Sequence, residues 1–331
     1  MKPIALLFAA LLIATAASAE TSPLTRGEVV FRHHANGLQY PSYAAHSEQR
    51  CAPAQAGDLR QRLVDLATQE WARFGYPLSP RADAGPLRQA FPLSHARDSS
   101  YFERDPLMLQ AIGGYWAALS GVPSGDVADT GAYEIEDANA LWQWSASEYR
   151  ANPGWQTPWS AAFISWLMCE GGVPDFRRSW AHRDYVDAAI AAADGGAPHR
   201  YHARAPDIAP AVGDLLCSSR AGYRTDLANR RNYPDGEAGM HCDLVVAIDR
   251  PRALILAIGG NVDNAVALVP YRLQGVSGGV RLRSVCQNEK VCADERLFAL
   301  LVLQAPDSGA AFTRAPALVA PPARPPPRFH R

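Results

Sequence analysis

Three short segments carry residues whose types and order suit acyl transfer. Ser160 lies in Thr157-Pro158-Trp159-Ser160-Ala161-Ala162-Phe163-Ile164-Ser165-Trp166. His241 heads Met240-His241-Cys242-Asp243-Leu244-Val245-Val246, and Asn261 closes Ile258-Gly259-Gly260-Asn261. A hydroxyl nucleophile needs a base to take its proton, and an imidazole base needs a third group to orient it. Serine, histidine and asparagine fill those roles: Ser160 as nucleophile, His241 as general base, Asn261 as its orienter.

The local patterns say how the three would be held. Thr157 suits an N-cap, Pro158 the first helical position, and Gly171-Gly172 the stop, which places Ser160 in the first turn of a helix. Unpaired N–H groups and the helix dipole favour developing negative charge there. Trp159, Phe163 and Trp166 form the buried stripe of that helix. His241 opens an apolar strand after a loop containing Gly and Pro. Asp249-Arg250-Pro251-Arg252 reads as a hairpin turn that brings Asn261, at the end of the next strand, beside His241.

The Trp-Ser-Ala-Ala-Phe-Ile-Ser-Trp run resembles the Trp-Cys-Ala-Ala-Phe-Val-Ser-Trp run that opens the catalytic helix of papain-like cell-wall amidases and endopeptidases of the NlpC and CHAP type. The Gly213-Asp214-Leu215 strand, the His241 strand and Gly259-Gly260-Asn261 follow in that order. Taken together, the set is similar to domain of unknown function 2272, a bacterial family grouped with that superfamily. The resemblance covers roughly residues 58 to 303, and its sharp motifs lie in 157–186 and 213–270. It implies a papain-like fold of helices packed on an antiparallel sheet, with a cleft between the Ser160 helix and the His241 strand.

Three departures are visible. Ser160 stands where those enzymes have cysteine, and a hydroxyl must lose its proton during attack, whereas a thiol is readily drawn to thiolate. The acidic residue that many CHAP-type domains carry two positions before the asparagine is replaced by Gly259. No glutamine directly precedes Ser160 to donate to an oxyanion, which leaves Gln156 or Asn152 for that task.

Trp159, His182, Arg220 and Asp243 are the substrate-binding candidates. His182, in Trp180-Ala181-His182-Arg183-Asp184-Tyr185, resembles a feature of the unknown-function family. Arg220 starts a loop that also holds Arg224, Arg230 and Arg231 and leads into His241. Arginines beside a cleft suit carboxylates such as those of peptidoglycan stem peptides.

The surrounding elements must position this set. Asp58 is the expected N-cap of a helix carrying Leu59, Leu63, Leu66, Ala67 and Trp71. A second helix is expected over 105–120 and a third over 138–149. After Gly213 come short apolar runs at 214–217, 242–248, 253–258, 265–269 and 297–303, read as strands. Helices followed by closely spaced strands indicate an α+β domain with an antiparallel sheet. The expected organisation is an N-terminal extension over 20–57, the main domain over 58–304, and a disordered Pro-rich tail over 305–331.

Residues 1–19 read as a secretory signal: Lys2, an apolar run from Ile4 to Ala14, and Ala17-Ser18-Ala19. The apolar run is too short to span a bilayer. The chain has 32 basic and 33 acidic residues, and loss of Lys2 takes the net charge from −1 to −2, a balance that points to neither a nucleic-acid nor a membrane-surface binder. His33-His34 offers too few ligands for a metal, and nothing calls for a cofactor.

Six cysteines in a periplasmic or secreted protein predict disulfides. Cys286–Cys292 is expected first, across a short polar turn, and Cys217–Cys242 next, if their strands are neighbours. Cys169 and Cys242 read as structural rather than as replacement nucleophiles.

The expected function is hydrolysis of an amide or ester bond in cell-wall peptidoglycan. The alternative is a catalytically inactive papain-like domain that binds peptidoglycan peptides or a protein partner.

Overall fold

The structure is a computed structural model that describes residues 27–33, 39–45, 51–52, 57–79, 106–119, 122–123, 134–135, 158–173, 175–220, 226–232, 239–276, 279–284, 296–306 and 309–319. The expected signal, the third helix over 138–149, Thr157 and the Cys286–Cys292 pair lie outside the described residues. No described helix is long and apolar enough to cross a membrane.

The chain opens with an antiparallel pair, β1 (Gly27–His33) and β2 (Gln39–Ala45). Helix α1 (Leu59–Arg73) begins where expected, with Asp58 Oδ1 accepting from the Gln61 N–H at 3.0 Å. It ends where Gly75 takes a φ of 78°, open to glycine at no steric cost. Helix α2 (Pro106–Ala117) has Pro at its first position, where no N–H is needed. A small pair, β3 (Val122–Pro123) and β4 (Glu134–Ile135), follows.

Helix α3 (Ser160–Glu170) is the centre of the domain. Every residue from Ser160 to Cys169 is buried, as suits a helix packed on all sides. It starts two residues later than the Thr-Pro signal predicts: Trp159 caps it, and its carbonyl accepts from the Phe163 N–H at 3.0 Å. Ser160 is thus its first residue. Helix α2 packs on it through Tyr115, whose ring centroid lies 5.2 Å from that of Phe163 and 5.3 Å from that of Trp166.

Helix α4 (His182–Ala193) is tied to α3 by a serine stitch. Ser165 Oγ donates to the Ser179 carbonyl at 2.8 Å and accepts from the Ser179 N–H at 2.9 Å. Ser179 Oγ in turn accepts from the Ala181 N–H at 3.0 Å and donates to the Asp184 carboxylate. The stitch fixes the start of α4 against α3.

Beyond α4 run β5 (Tyr201–Arg204), β6 (Leu215–Ser219), α5 (Leu227–Asn232), β7 (Met240–Asp249), β8 (Leu254–Val262), β9 (Ala265–Val276), β10 (Gly279–Ser284) and β11 (Arg296–Leu303). They form one antiparallel sheet in the order β10-β9-β8-β7-β6-β11-β5. The class is therefore mixed α+β, as the helix-then-strand pattern predicts. The main core lies between the helices and one sheet face, and a smaller cluster of Leu216, Val245, Ile255, Ala257, Tyr271 and Leu300 covers the other.

Two local features set the sheet end near α3. Asp263 and Asn264 both have positive φ, 52° and 61°, and close β8 onto β9 as a two-residue hairpin of the kind whose twist matches the strands. Just before it, the β8–β9 register shifts between Gly259 and Val262, with Asn261 at a φ of 53°. Gly260 lets β8 touch α3, since a Cβ there would lie 2.5 Å from Phe163 Cβ.

Two disulfides are present among the described residues. Cys217–Cys242 joins directly paired positions of β6 and β7, as anticipated, with Cα atoms 4.1 Å apart. Cys51–Cys169, not foreseen, ties the segment before α1 to the end of α3. Disulfides of this kind persist in oxidising compartments and fit a location outside the cytoplasm.

The expected disordered tail starts too early. After a 3₁₀ turn at Phe312–Arg314 and α6 (Pro316–Val319), the chain docks on α1: Phe312 is buried 5.7 Å from Trp71, and Tyr76 Oη donates to the Ala317 carbonyl at 2.9 Å. A few apolar side chains among many Ala and Pro are enough to hold it there.

Candidate active site

Ser160, His182, Tyr185, Arg220, His241, Asp243 and Tyr271 meet where the start of α3, the start of α4 and the β7 end of the sheet converge. Ser160 Oγ lies 2.7 Å from His182 Nε2 and accepts from Arg220 Nη2 at 3.5 Å. Tyr185, one helical turn after His182, places its hydroxyl on His182 Nδ1. The His182 and His241 rings are neighbours, with centroids 5.2 Å apart.

His241 is held differently from the expectation. Its Nε2 lies 2.8 Å from Asp243 Oδ1, and Asp243 Oδ2 accepts from the Tyr271 hydroxyl. Residues two apart on a strand share a face, so the carboxylate of Asp243 reaches back to the imidazole. It also needs room on β8: a Cβ at Gly259 would stand 1.7 Å from Asp243 Oδ1. Gly259 thus makes space for an acid from the neighbouring strand. Asp243, rather than Asn261, is the partner of the His241 ring, and Asn261 occupies the strained bulge position.

The other candidates divide. Trp159 is wholly buried between Phe74 and Tyr115, at 5.9 and 5.6 Å, and is a core side chain rather than a cleft wall. Asp243, 1% exposed with both oxygens engaged, supports His241 rather than facing a ligand. Of the basic loop, Arg230 pairs with Asp187 at 2.6 Å and Arg231 with Asp194 at 2.7 Å. Arg220 alone of that group reaches Ser160 among the described residues; Arg224, Gln156 and Asn152 lie outside them.

Donor and acceptor accounting assigns the protons. Burial, then the Asp243 and Asp184 charges, pushes the Tyr185 phenol well above its ordinary range, so it keeps its proton. The buried hydroxyl finds His182 Nδ1 as its partner among the described residues; leaving that proton unpaired would cost about 1–3 kcal/mol. Tyr185 therefore donates to Nδ1, which puts the imidazole proton of neutral His182 on Nε2, donating to Ser160 Oγ. Burial, His241 and Arg220 together hold the His182 pKa well below its usual value, so the ring is neutral at pH 7.

His241 has the complementary arrangement. Its Nε2–H donates to the Asp243 carboxylate, an acceptor only, and in the neutral form of the ring that leaves the lone pair on Nδ1. That Nδ1 is buried and has no hydrogen-bond partner among the described residues. Ser160 and His241 share no direct hydrogen bond there. An imidazolium at His241 would sit against a carboxylate; one at His182 would sit against Arg220 and a second histidine. Two neighbouring histidines with opposed environments are suited to different roles, one as base and one as donor.

Tyr185 and Tyr271 were not singled out from sequence. Tyr185 carried a usable signal, standing three residues after His182 on a helix. Tyr271 carried none, because it meets Asp243 only across the intervening strand. No curated protein and no solved structure matches the chain. The model of the family described as "Uncharacterized protein conserved in bacteria (DUF2272)" matches residues 103–304, and the chain belongs to that family.

Proposed function

We propose that the protein is a papain-like hydrolase, exported to the periplasm or beyond, that cleaves an amide or ester bond in peptidoglycan with Ser160 as nucleophile and His241 as base. The observation that carries this reading is a buried serine hydroxyl in contact with one histidine, whose ring neighbours a second histidine backed by a carboxylate. The signal-like first nineteen residues and the two disulfides support export.

In the attack step, Ser160 Oγ bonds to the carbonyl carbon, the carbonyl π pair moves onto its oxygen, and the Oγ proton passes to His241 Nδ1. Collapse breaks the bond to the leaving group, which takes that proton from His241. Water then enters by the same route in reverse and releases the acid. Asp243 holds the ring in the Nε2–H tautomer and stabilises the imidazolium formed on the way. In the resting site the Ser160 proton must still move to face Nδ1, a tightening that substrate commonly brings.

The second reading, a cleft that binds peptidoglycan peptides without cleaving them, is favoured by the missing Ser160–His241 hydrogen bond. Mature protein incubated with purified muropeptides separates the two. The hydrolase reading expects new fragments by mass spectrometry from the wild type and none above background from Ser160→Ala. If both proteins leave the muropeptides intact while binding them equally, the binder reading stands instead.

A further inference from the structure

We propose that His182 donates a hydrogen bond from Nε2 to the oxyanion of the tetrahedral intermediate, fixed in that tautomer by the phenol of Tyr185. The inference rests on the hydrolase reading and adds to the helix-start N–H groups a side-chain donor for the developing negative charge. No side-chain amide directly precedes Ser160 in the sequence.

Position comes first. His182 Nε2 is 2.7 Å from Ser160 Oγ, and Arg220 Nη2 approaches the same oxygen at 3.5 Å. When Oγ bonds to the substrate carbon it becomes a weak acceptor. The oxygen gaining charge is then the carbonyl oxygen on that same carbon, and donors already converging on Oγ need shift only slightly to meet it. Donors aimed at the place where charge develops, and fixed before it develops, are what lowers such a barrier.

Proton bookkeeping comes second. Tyr185 and His182 are both buried, and the phenol proton is satisfied by His182 Nδ1. The ring can then offer only N–H toward Ser160. A base in that position would need the opposite tautomer and would strand the phenol proton. Electrostatics agree, since burial and the neighbouring His241 and Arg220 disfavour an imidazolium at this ring. Tyr185 is a positioning residue; His182 touches the reacting oxygen.

The test uses hydrolysis of p-nitrophenyl acetate by the mature protein. Wild type must first exceed Ser160→Ala; if it does not, the hydrolase reading fails and the inference falls with it. Given activity, His182→Ala is expected to lower kcat by about 10²–10³-fold with little change in KM, while His182→Gln, which restores a side-chain N–H, recovers at least ~10-fold of that loss. If His182→Gln is as inactive as His182→Ala and both fall to the Ser160→Ala level, His182 is the base; the inference and the choice of His241 as base are then wrong, while hydrolysis at Ser160 survives. Long-range ¹H–¹⁵N correlation of the wild type checks the tautomer without any variant. The expected result at pH 7 is a protonated Nε2 and an unprotonated Nδ1 on His182, and the reverse pattern overturns the proposal.

Discussion

Asp243→Asn is expected to lower kcat by about 10⁴-fold while the protein stays folded, the scale of loss when an orienting carboxylate is exchanged for an amide. The reason lies in the far side of the carboxylate. Tyr271 donates its hydroxyl to Oδ2, so an asparagine at 243 must turn its carbonyl oxygen to Tyr271 and its NH₂ to His241. The imidazole Nε2 then has to accept, the proton moves to Nδ1, and the ring loses the lone pair that the proposed hydrolysis needs to take the Ser160 proton. The substitution changes neither volume nor the Gly259 gap. Steady-state kinetics on an activated ester, with a thermal melt alongside, read the effect. A loss of less than about tenfold with an unchanged melt would show that Asp243 does not set the tautomer of a working base.

Arg60→Ala is expected to give the largest loss of stability, about 3–5 kcal/mol in a urea titration, because it strands a buried charge and several buried carbonyls. Arg60 lies on α1, 4% exposed, with Nη1 on the Val212 carbonyl at 2.6 Å and on Asp214 Oδ1 at 3.1 Å, and Nη2 on the Leu303 carbonyl at 2.7 Å. It also reaches the Ala305 carbonyl. One side chain therefore ties the first helix to the loop before β6 and to the end of β11. Burial pushes the Asp214 carboxyl up, and hydrogen bonds from the Ala211 and Leu303 N–H groups and from Arg60 oppose that push. Lysine would not substitute, since a single ammonium cannot fork to three carbonyls and a carboxylate. A shift below about 1 kcal/mol would mean that water replaces the guanidinium at little cost.

The secondary structure was largely legible because its signals are local. The Asp58 cap, the apolar spacing of α1 and α2, and the short apolar runs of β6 to β9 each depend on residues a few positions apart. Where the signal was compositional it failed, as in the Ala/Pro-rich stretch whose Phe312 and Ala315 bury against α1. The Thr-Pro capping signal also misplaced the start of α3, although Ser160 still falls in the first turn.

The site was half legible. Ser160, His182, Arg220, His241 and Asp243 were all picked out by residue type and order, but their connections were not. Sequence gives Asn261 the orienting role because it follows His241 at the end of the next strand. The pleat gives that role to Asp243, two residues from His241 on the same face, and Gly259 clears the space. Which histidine touches Ser160 depends on the Ser165–Ser179 stitch that sets α4 against α3, a tertiary contact with no local mark. Trp159 was read both as core and as cleft; the packing of Phe74 and Tyr115 around it makes it core.

In the proposed hydrolysis Ser160 Oγ is the nucleophile, and His241, held by Asp243, takes its proton. Intact-mass and peptide mass spectrometry after treatment of the mature protein with a fluorophosphonate, which phosphonylates activated serine hydroxyls with loss of fluoride, tests it most directly. The predicted result is one adduct per chain, mapped to Ser160, absent from Ser160→Ala and strongly slowed in Asp243→Asn. No adduct on the folded wild type, or equal labelling of wild type and Ser160→Ala, would contradict the account.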